Sequence, residues 1–177
     1  IASLDRASRF CESTLRFGRA EEATPRRELF VLRQLIDDVG DGLGLPRDNA
    51  IRWVIEVENS LRIDADRDQL FRLLTNLARN AVQAIEQREE PSGAINISAR
   101  REGGRVHVVV SDDGPGLSKQ ARAHMFQAFQ GSSGRKGGTG LGLAIAHELV
   151  SAHGGTIRLR DSGPGATFEI EIPDRVL

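Results

Sequence analysis

The sequence predicts an α/β two-layer sandwich, in which one sheet is covered on a single face by helices. Three observations predict it. Apolar residues change from helical spacing to a period of two after about residue 50. Five short segments then alternate apolar with polar residues, clearest in Thr167-Phe168-Glu169-Ile170-Glu171-Ile172, the pattern of a sheet packed on one face and wet on the other. Three amphipathic segments, about Asp66–Gln87, Lys119–Phe126 and Leu141–His153, can supply the cover.

The elements follow in order. From Ala2 to about Glu22, Leu4, Ala7, Cys11 and Leu15 recur at helical spacing, with Phe10 and Phe17 on a flanking stripe; Thr24-Pro25 closes the segment. That helix carries more apolar surface than it can hide alone. A second helix, about Glu28–Val39, buries Leu32, Leu35, Ile36 and Val39 before the breaker run Gly40–Pro46. Strands are predicted at Ile51–Val57, Ile95–Ala99, Val106–Val110, Ile157–Leu159 and Phe168–Ile172. The stretch from Ser111 to Gly142 is glycine-rich and predicts a loop.

Composition narrows the class. A chain of 177 residues with 39% hydrophobic residues supports one domain and a short appendage. The 24 basic and 25 acidic residues nearly cancel, so no global field draws nucleic acid, and no nucleic-acid partner is expected. Cys11 is the single cysteine and cannot form an internal disulfide, and no apolar run is long enough to span a bilayer, so a cytoplasmic piece is expected. The first residue is Ile and no signal peptide precedes it, which predicts a fragment of a longer protein.

Three constellations carry chemistry. Gly138, Gly140 and Gly142 alternate with Thr139 and Leu141 immediately before a helical run. Glycine backbone at a helix start can bring N–H groups against phosphate, although taken alone the segment is equally a flexible turn. On the helix from Asp66, Asn76, Arg79, Asn80 and Gln83 gather opposite the apolar stripe. The plain reading is a solvated face; the alternative is that amide oxygen ligates Mg²⁺ while Arg79 pairs with phosphate. Asp112 ends a strand and precedes Gly114 and Gly116, where a carboxylate can accept a hydrogen from a ligand amine and the glycines leave room for a flat ring; an ordinary Asp-Gly turn is the competing reading.

Order and spacing bring these together. Asn76-Leu77-Ala78-Arg79-Asn80-Ala81, Asp112 to Gly116, Phe126 to Phe129 and Gly138 to Leu143 resemble, in sequence, the N, G1, F and G2 boxes of the catalytic and ATP-binding domain of bacterial sensor histidine kinases. These belong to the wider ATPase superfamily of gyrase B, Hsp90 and MutL. Gly163-Pro164-Gly165-Ala166-Thr167-Phe168 resembles the last glycine box, and the likeness covers about residues 28–173. It implies a Bergerat-type fold with a mixed, largely antiparallel sheet. It also implies Asp112 on adenine N6 with Thr167 nearby, Asn80 on Mg²⁺, and backbone around Gly140 to Gly142 on the phosphates. A lid between Leu117 and Thr139 is implied, held by Phe126 and Phe129, with Arg135 or Lys136 reaching the phosphates.

The resemblance further implies two parts: residues 1–24 as the end of a dimerisation and phosphoacceptor helix, which Leu15 to Glu21 resembles, and residues 28–177 as the catalytic domain. ATP and Mg²⁺ are the implied ligands. The implied partners are the phosphoacceptor domain of the same protein, a response regulator receiver domain, and a second copy in the full-length protein. None of His107, His124, His147 and His153 lies in an acceptor-like segment, so each is expected to be structural or solvent-exposed. A hydrolytic ATPase of the gyrase type would place a Glu where Asn76 stands, which favours the kinase. A nucleotide-binding scaffold without kinase activity and an anti-sigma serine kinase are the other readings. Gln83 and Gln130 depart from the commoner residues at their positions.

Overall fold

The computed structural model describes residues 24–46, 50–127, 141–160 and 163–175. The helix expected over Ala2–Glu22 and most of the expected lid, including Phe129, Gln130, Arg135 and Lys136, lie outside these residues.

The main sheet has five strands in the order β2-β4-β5-β7-β6. They are β2 (Ile51–Val57), β4 (Gly93–Glu102), β5 (Arg105–Asp112), β6 (Thr156–Arg160) and β7 (Thr167–Pro173). Gly103 and Gly104 join β4 to β5 with φ of 58° and 72°. Those left-handed values suit a two-residue hairpin turn, and Glu102 faces Arg105 across it. The pairs β4–β5, β5–β7 and β6–β7 are antiparallel, while β2 pairs with β4 in parallel. A parallel pair needs a crossover, which β3 (Arg62–Ala65) and α2 (Arg67–Glu86) provide. The sheet is therefore mixed and largely antiparallel.

Alternation assigns its two faces. Ile95, Ile97, Val106, Val108, Val110, Phe168, Ile170 and Ile172 are buried toward the helices. The opposite face carries Arg158, Arg160, Glu169 and Glu171, with Arg158 paired to Glu171 at 2.6 Å and Arg160 to Glu169. The cover is α2, α1 (Leu32–Gly42) and α4 (Gly142–Ala152). α2 starts where Asp66 caps it, its Oδ1 accepting the Gln69 N–H at 3.0 Å. It then buries Leu70, Leu73, Leu74, Leu77 and Ile85 almost completely. Twenty residues make it about 30 Å long, enough to cross the whole sheet.

Three expectations need correction. Glu28–Val31 is not the start of a helix but strand β1, paired antiparallel with β3 in a separate two-stranded ribbon. The helical spacing of Leu32, Leu35, Ile36 and Val39 begins only after it, and Val31 enters α1 with extended backbone. β3 was not anticipated, because four residues with only Ile63 and Ala65 buried carry too short an alternation. The third helix, α3 (Lys119–His124), stops two residues short of Phe126.

Candidate active site

Two helices meet at the polar flank of α2. Asn76, Asn80 and Gln83 are partly buried there and Arg79 is exposed. α4 aims its first turn at this flank. A β-carbon built on Gly142 would lie 3.7 Å from Asn80 Oδ1 and 4.0 Å from Asn76 Oδ1. Leu141, fully buried, roots the helix start, and its carbonyl accepts the Ile145 N–H at 2.9 Å. Among the described residues no side chain caps α4. Its leading N–H groups thus retain the donor capacity and partial positive charge of a helix N-terminus.

The second half of the site stands one turn further along α2. Gly114 packs on Ala84, where an added β-carbon would approach Ala84 Cβ to 3.1 Å and Asp112 Oδ1 to 2.7 Å. Asp112 Oδ1 accepts the N–H of Gly114 at 2.9 Å and of Ala166 at 3.5 Å, and the Asp112 N–H donates to the Ala166 carbonyl at 3.0 Å. Gly116, at φ 73°, turns the chain against the Pro164 carbonyl, 3.0 Å from where its β-carbon would be. Gly165 is closer still: any β-carbon there would fall inside the van der Waals envelope of the Asp112 carbonyl oxygen. Thr167 is buried and pairs with Ser111, one step from Asp112 in the β5–β7 register.

Burial raises the Asp112 carboxyl above its ordinary 3.8; the Gly114 and Ala166 N–H groups act the other way, Asp113 adds to the rise, and Arg88 opposes it. Sequence reasoning passed over Arg88, which reads as one charge in a solvated turn. Its guanidinium donates to the Asp113 carbonyl and, at 2.9 Å, to the Ser92 carbonyl. Asp113 Oδ1 in turn accepts the Ala94 N–H at 3.0 Å. The segment after α2 is thereby clasped to the end of β5, beside Asp112. No sequence signal marks that clasp, because its hydrogen bonds go to backbone carbonyls and its ion pair, Arg88 to the Asp113 carboxylate at 3.7 Å, spans 25 residues.

Of the segment expected to form a lid, the structure describes Leu117 to Gln127. Leu117, Met125 and Phe126 pack against the core, and the Phe126 ring lies 5.2 Å from His147 on α4. Lys136, Gly138, Thr139 and Gly140 lie outside the described residues. His107 stands on the polar face of the sheet, 4.0 Å from Glu171, and His124 ends α3. His153 alone is buried.

The donor set agrees with Mg²⁺ shared with a phosphate ligand. Among the described residues no group of three or more His, Cys, Asp and Glu side chains could cage an ion by itself. The Asn80 amide oxygen, beside the leading N–H groups of α4, could supply one hard ligand to a cation that keeps waters and takes its remaining oxygens from phosphate.

Residues 65–176 match the family model described as "Histidine kinase-, DNA gyrase B-, and HSP90-like ATPase". The circadian input-output histidine kinase CikA of Synechococcus elongatus is 38% identical over 135 residues, covering 72% of this chain and 17% of CikA. The chain therefore spans about a sixth of that relative. Full-length ShkA in complex with AMPPNP superposes with a TM-score of 0.83 at 31% identity, covering 99% of this chain and 37% of ShkA. The histidine kinase ThkA in complex with the response regulator protein TrrA gives a TM-score of 0.77 at 27% identity, over 98% of this chain and 48% of that one. By the family match, the identity to sensor kinases and the shared fold, this chain belongs to the histidine kinase-, DNA gyrase B- and HSP90-like ATPases, among the catalytic domains of sensor histidine kinases.

Proposed function

We propose that this domain binds Mg²⁺–ATP and transfers the γ-phosphoryl group to a histidine on a dimerisation and phosphoacceptor domain, in two-component signalling. The observation that carries the reading is the approach of Gly142 to Asn80 and Asn76, with Asp112 and Gly114 one turn further along the same helix. From Ala84 back to Asn76 is eight residues, about 12 Å along α2, so one helix supports both ends of a nucleotide.

Each side chain then has a task. Asp112 accepts the adenine amine hydrogen, while Gly114 and Gly116 leave space for the ring and Thr167 borders it. Asn80 ligates the metal. Arg79 and Gln83, with Lys136 from the lid, face the phosphates, and the backbone of Gly138, Thr139, Gly140, Leu141 and Gly142 donates to them. Bound Mg²⁺ neutralises phosphate charge. The residues themselves supply position and electrostatics rather than covalent chemistry. Asn76 has an amide where a hydrolytic enzyme needs a base, so water is left unactivated.

ShkA's complex with AMPPNP and ThkA's with a response regulator support the same ligands and partners here. Residues 1–24 serve as the end of the dimerisation helix, and residues 28–177 as the catalytic domain of a homodimeric kinase. Among the described residues no helix is long and apolar enough to cross a membrane.

A transfer assay with γ-labelled ATP tests the reading. The chain alone is expected to bind nucleotide, turn it over slowly and take up no acid-labile, base-stable phosphate. A supplied dimerisation and phosphoacceptor domain should become labelled on histidine. Labelling of His107, His124, His147 or His153 on the chain itself, or rapid hydrolysis, would contradict it.

A further inference from the structure

The N-terminal end of α4 faces Asn76 and Asn80, and its C-terminal end returns to the start of α2, so the two helices lie antiparallel. His153 makes the second contact. It follows α4 directly, is 5% exposed, and uses both ring nitrogens: Nδ1 lies 2.8 Å from the Leu149 carbonyl, and Nε2 3.0 Å from the Asp66 N–H. A backbone N–H can only donate, so Nε2 accepts, Nδ1 carries the hydrogen and the ring is neutral. Asp66 is the cap of α2 and is itself fixed, its Oδ1 taking the Gln69 N–H and its Oδ2 the Arg26 N–H at 2.8 Å.

The ring thus clips the end of one helix to the N-cap of the other. Eleven residues separate His153 from Gly142, about 16 Å of helix. The apolar contacts of Ala146, Leu149 and Val150 set how closely α4 sits on its neighbours, but such contacts are non-directional. A bond with one donor and one acceptor sets how far α4 slides along its axis.

We propose that His153 is a positioning residue for phosphate and metal binding, its bridge to Asp66 setting the axial register that holds the leading N–H groups of α4 against Asn80. The proposal rests on the nucleotide reading given above. It makes that binding sensitive to acid. Arg27, Asp64 and Asp66 are the charged groups around the ring, with Arg27 Nη1 3.4 Å from the His153 carbonyl, and burial holds the imidazole below its ordinary 6.5. A proton on Nε2 would set donor against donor at Asp66.

Calorimetry on the full chain tests this, comparing affinity for Mg²⁺–AMPPNP with affinity for adenosine, which lacks phosphates. His153→Phe keeps a ring but removes both bonds, while His153→Gln keeps an acceptor within reach of the Asp66 N–H. The ratio of the two affinities should fall about tenfold in His153→Phe and recover in His153→Gln. In the wild type the ratio should also drop, as pH is lowered through and below the histidine range, more steeply than in His153→Gln; the ligand's own titration is common to both. An unchanged ratio in His153→Phe, even with lowered Tm, would overturn the proposal. If that variant does not fold, identical pH profiles for wild type and His153→Gln overturn it instead. Failure of the wild type to bind adenosine defeats the nucleotide reading, and this inference with it.

Discussion

Burial holds the Asp112 carboxyl above 3.8 even though two backbone N–H groups point at its Oδ1. A carboxyl with a raised folded pKa is more easily ionised in the unfolded chain. At neutral pH the folded state therefore carries a penalty, which disappears as pH falls and the folded carboxyl takes its proton. Asp112→Asn removes the ionisation while its amide oxygen can still accept from Gly114 and Ala166. The variant should match or exceed the wild type in Tm at neutral pH, and the difference should shrink on acidification. Nucleotide affinity should move the other way. An amide nitrogen facing the adenine amine costs roughly 1–3 kcal/mol, up to about a hundredfold. Calorimetry giving wild-type affinity, or a melting series in which the variant loses ground at neutral pH, would remove Asp112 from the role assigned to it.

The elements differ in how far the sequence revealed them. Strands and helices with several buried positions at a steady period, such as α2 and β7, were legible to within a few residues. The β1–β3 ribbon was not. Its four-residue strands owe their place to non-local partners: Arg27 reaches Asp64, the Asp64 carbonyl at 2.7 Å and the Pro173 carbonyl at 2.5 Å, while Asp174 accepts from Arg101 and from the Asp64 N–H. At the site, Asn76, Asn80, Asp112 and Gly142 were marked by their motifs; the fold sets Gly142 beside Asn80 and Asn76, and Asp112 with Gly114 near Ala84 on the next turn of α2. The Arg88 clasp and the closeness of Gly165 to Asp112 were invisible, since both depend on which backbone atoms the sheet brings alongside. The Gly165 contact yields a prediction for the β5–β7 junction. Gly165→Ala drives a β-carbon into the Asp112 carbonyl, and backbone must shift to relieve it. Urea denaturation should show a loss of about 1–3 kcal/mol or more, with weakened nucleotide binding; stability within error of the wild type would mean that the junction is looser than described.

At the scale of the molecule, α2 organises the rest. Its apolar stripe fixes the helix on the sheet, and its polar flank presents, in sequence, Asn76, Asn80 and the Ala84 seat of Gly114, while α4 runs back along it from Gly142 to His153. On the proposed reading, adenine recognition and metal binding fall on separate turns of one helix and should separate by mutation. The most direct test is calorimetric titration of AMPPNP into wild type and Asn80→Ala, each with and without Mg²⁺. The wild type should bind in both conditions and more tightly with Mg²⁺; Asn80→Ala should keep the Mg²⁺-free affinity and lose the gain, with Asn76→Ala less affected. A full Mg²⁺ response in Asn80→Ala, or no binding by the wild type in either condition, would contradict the account.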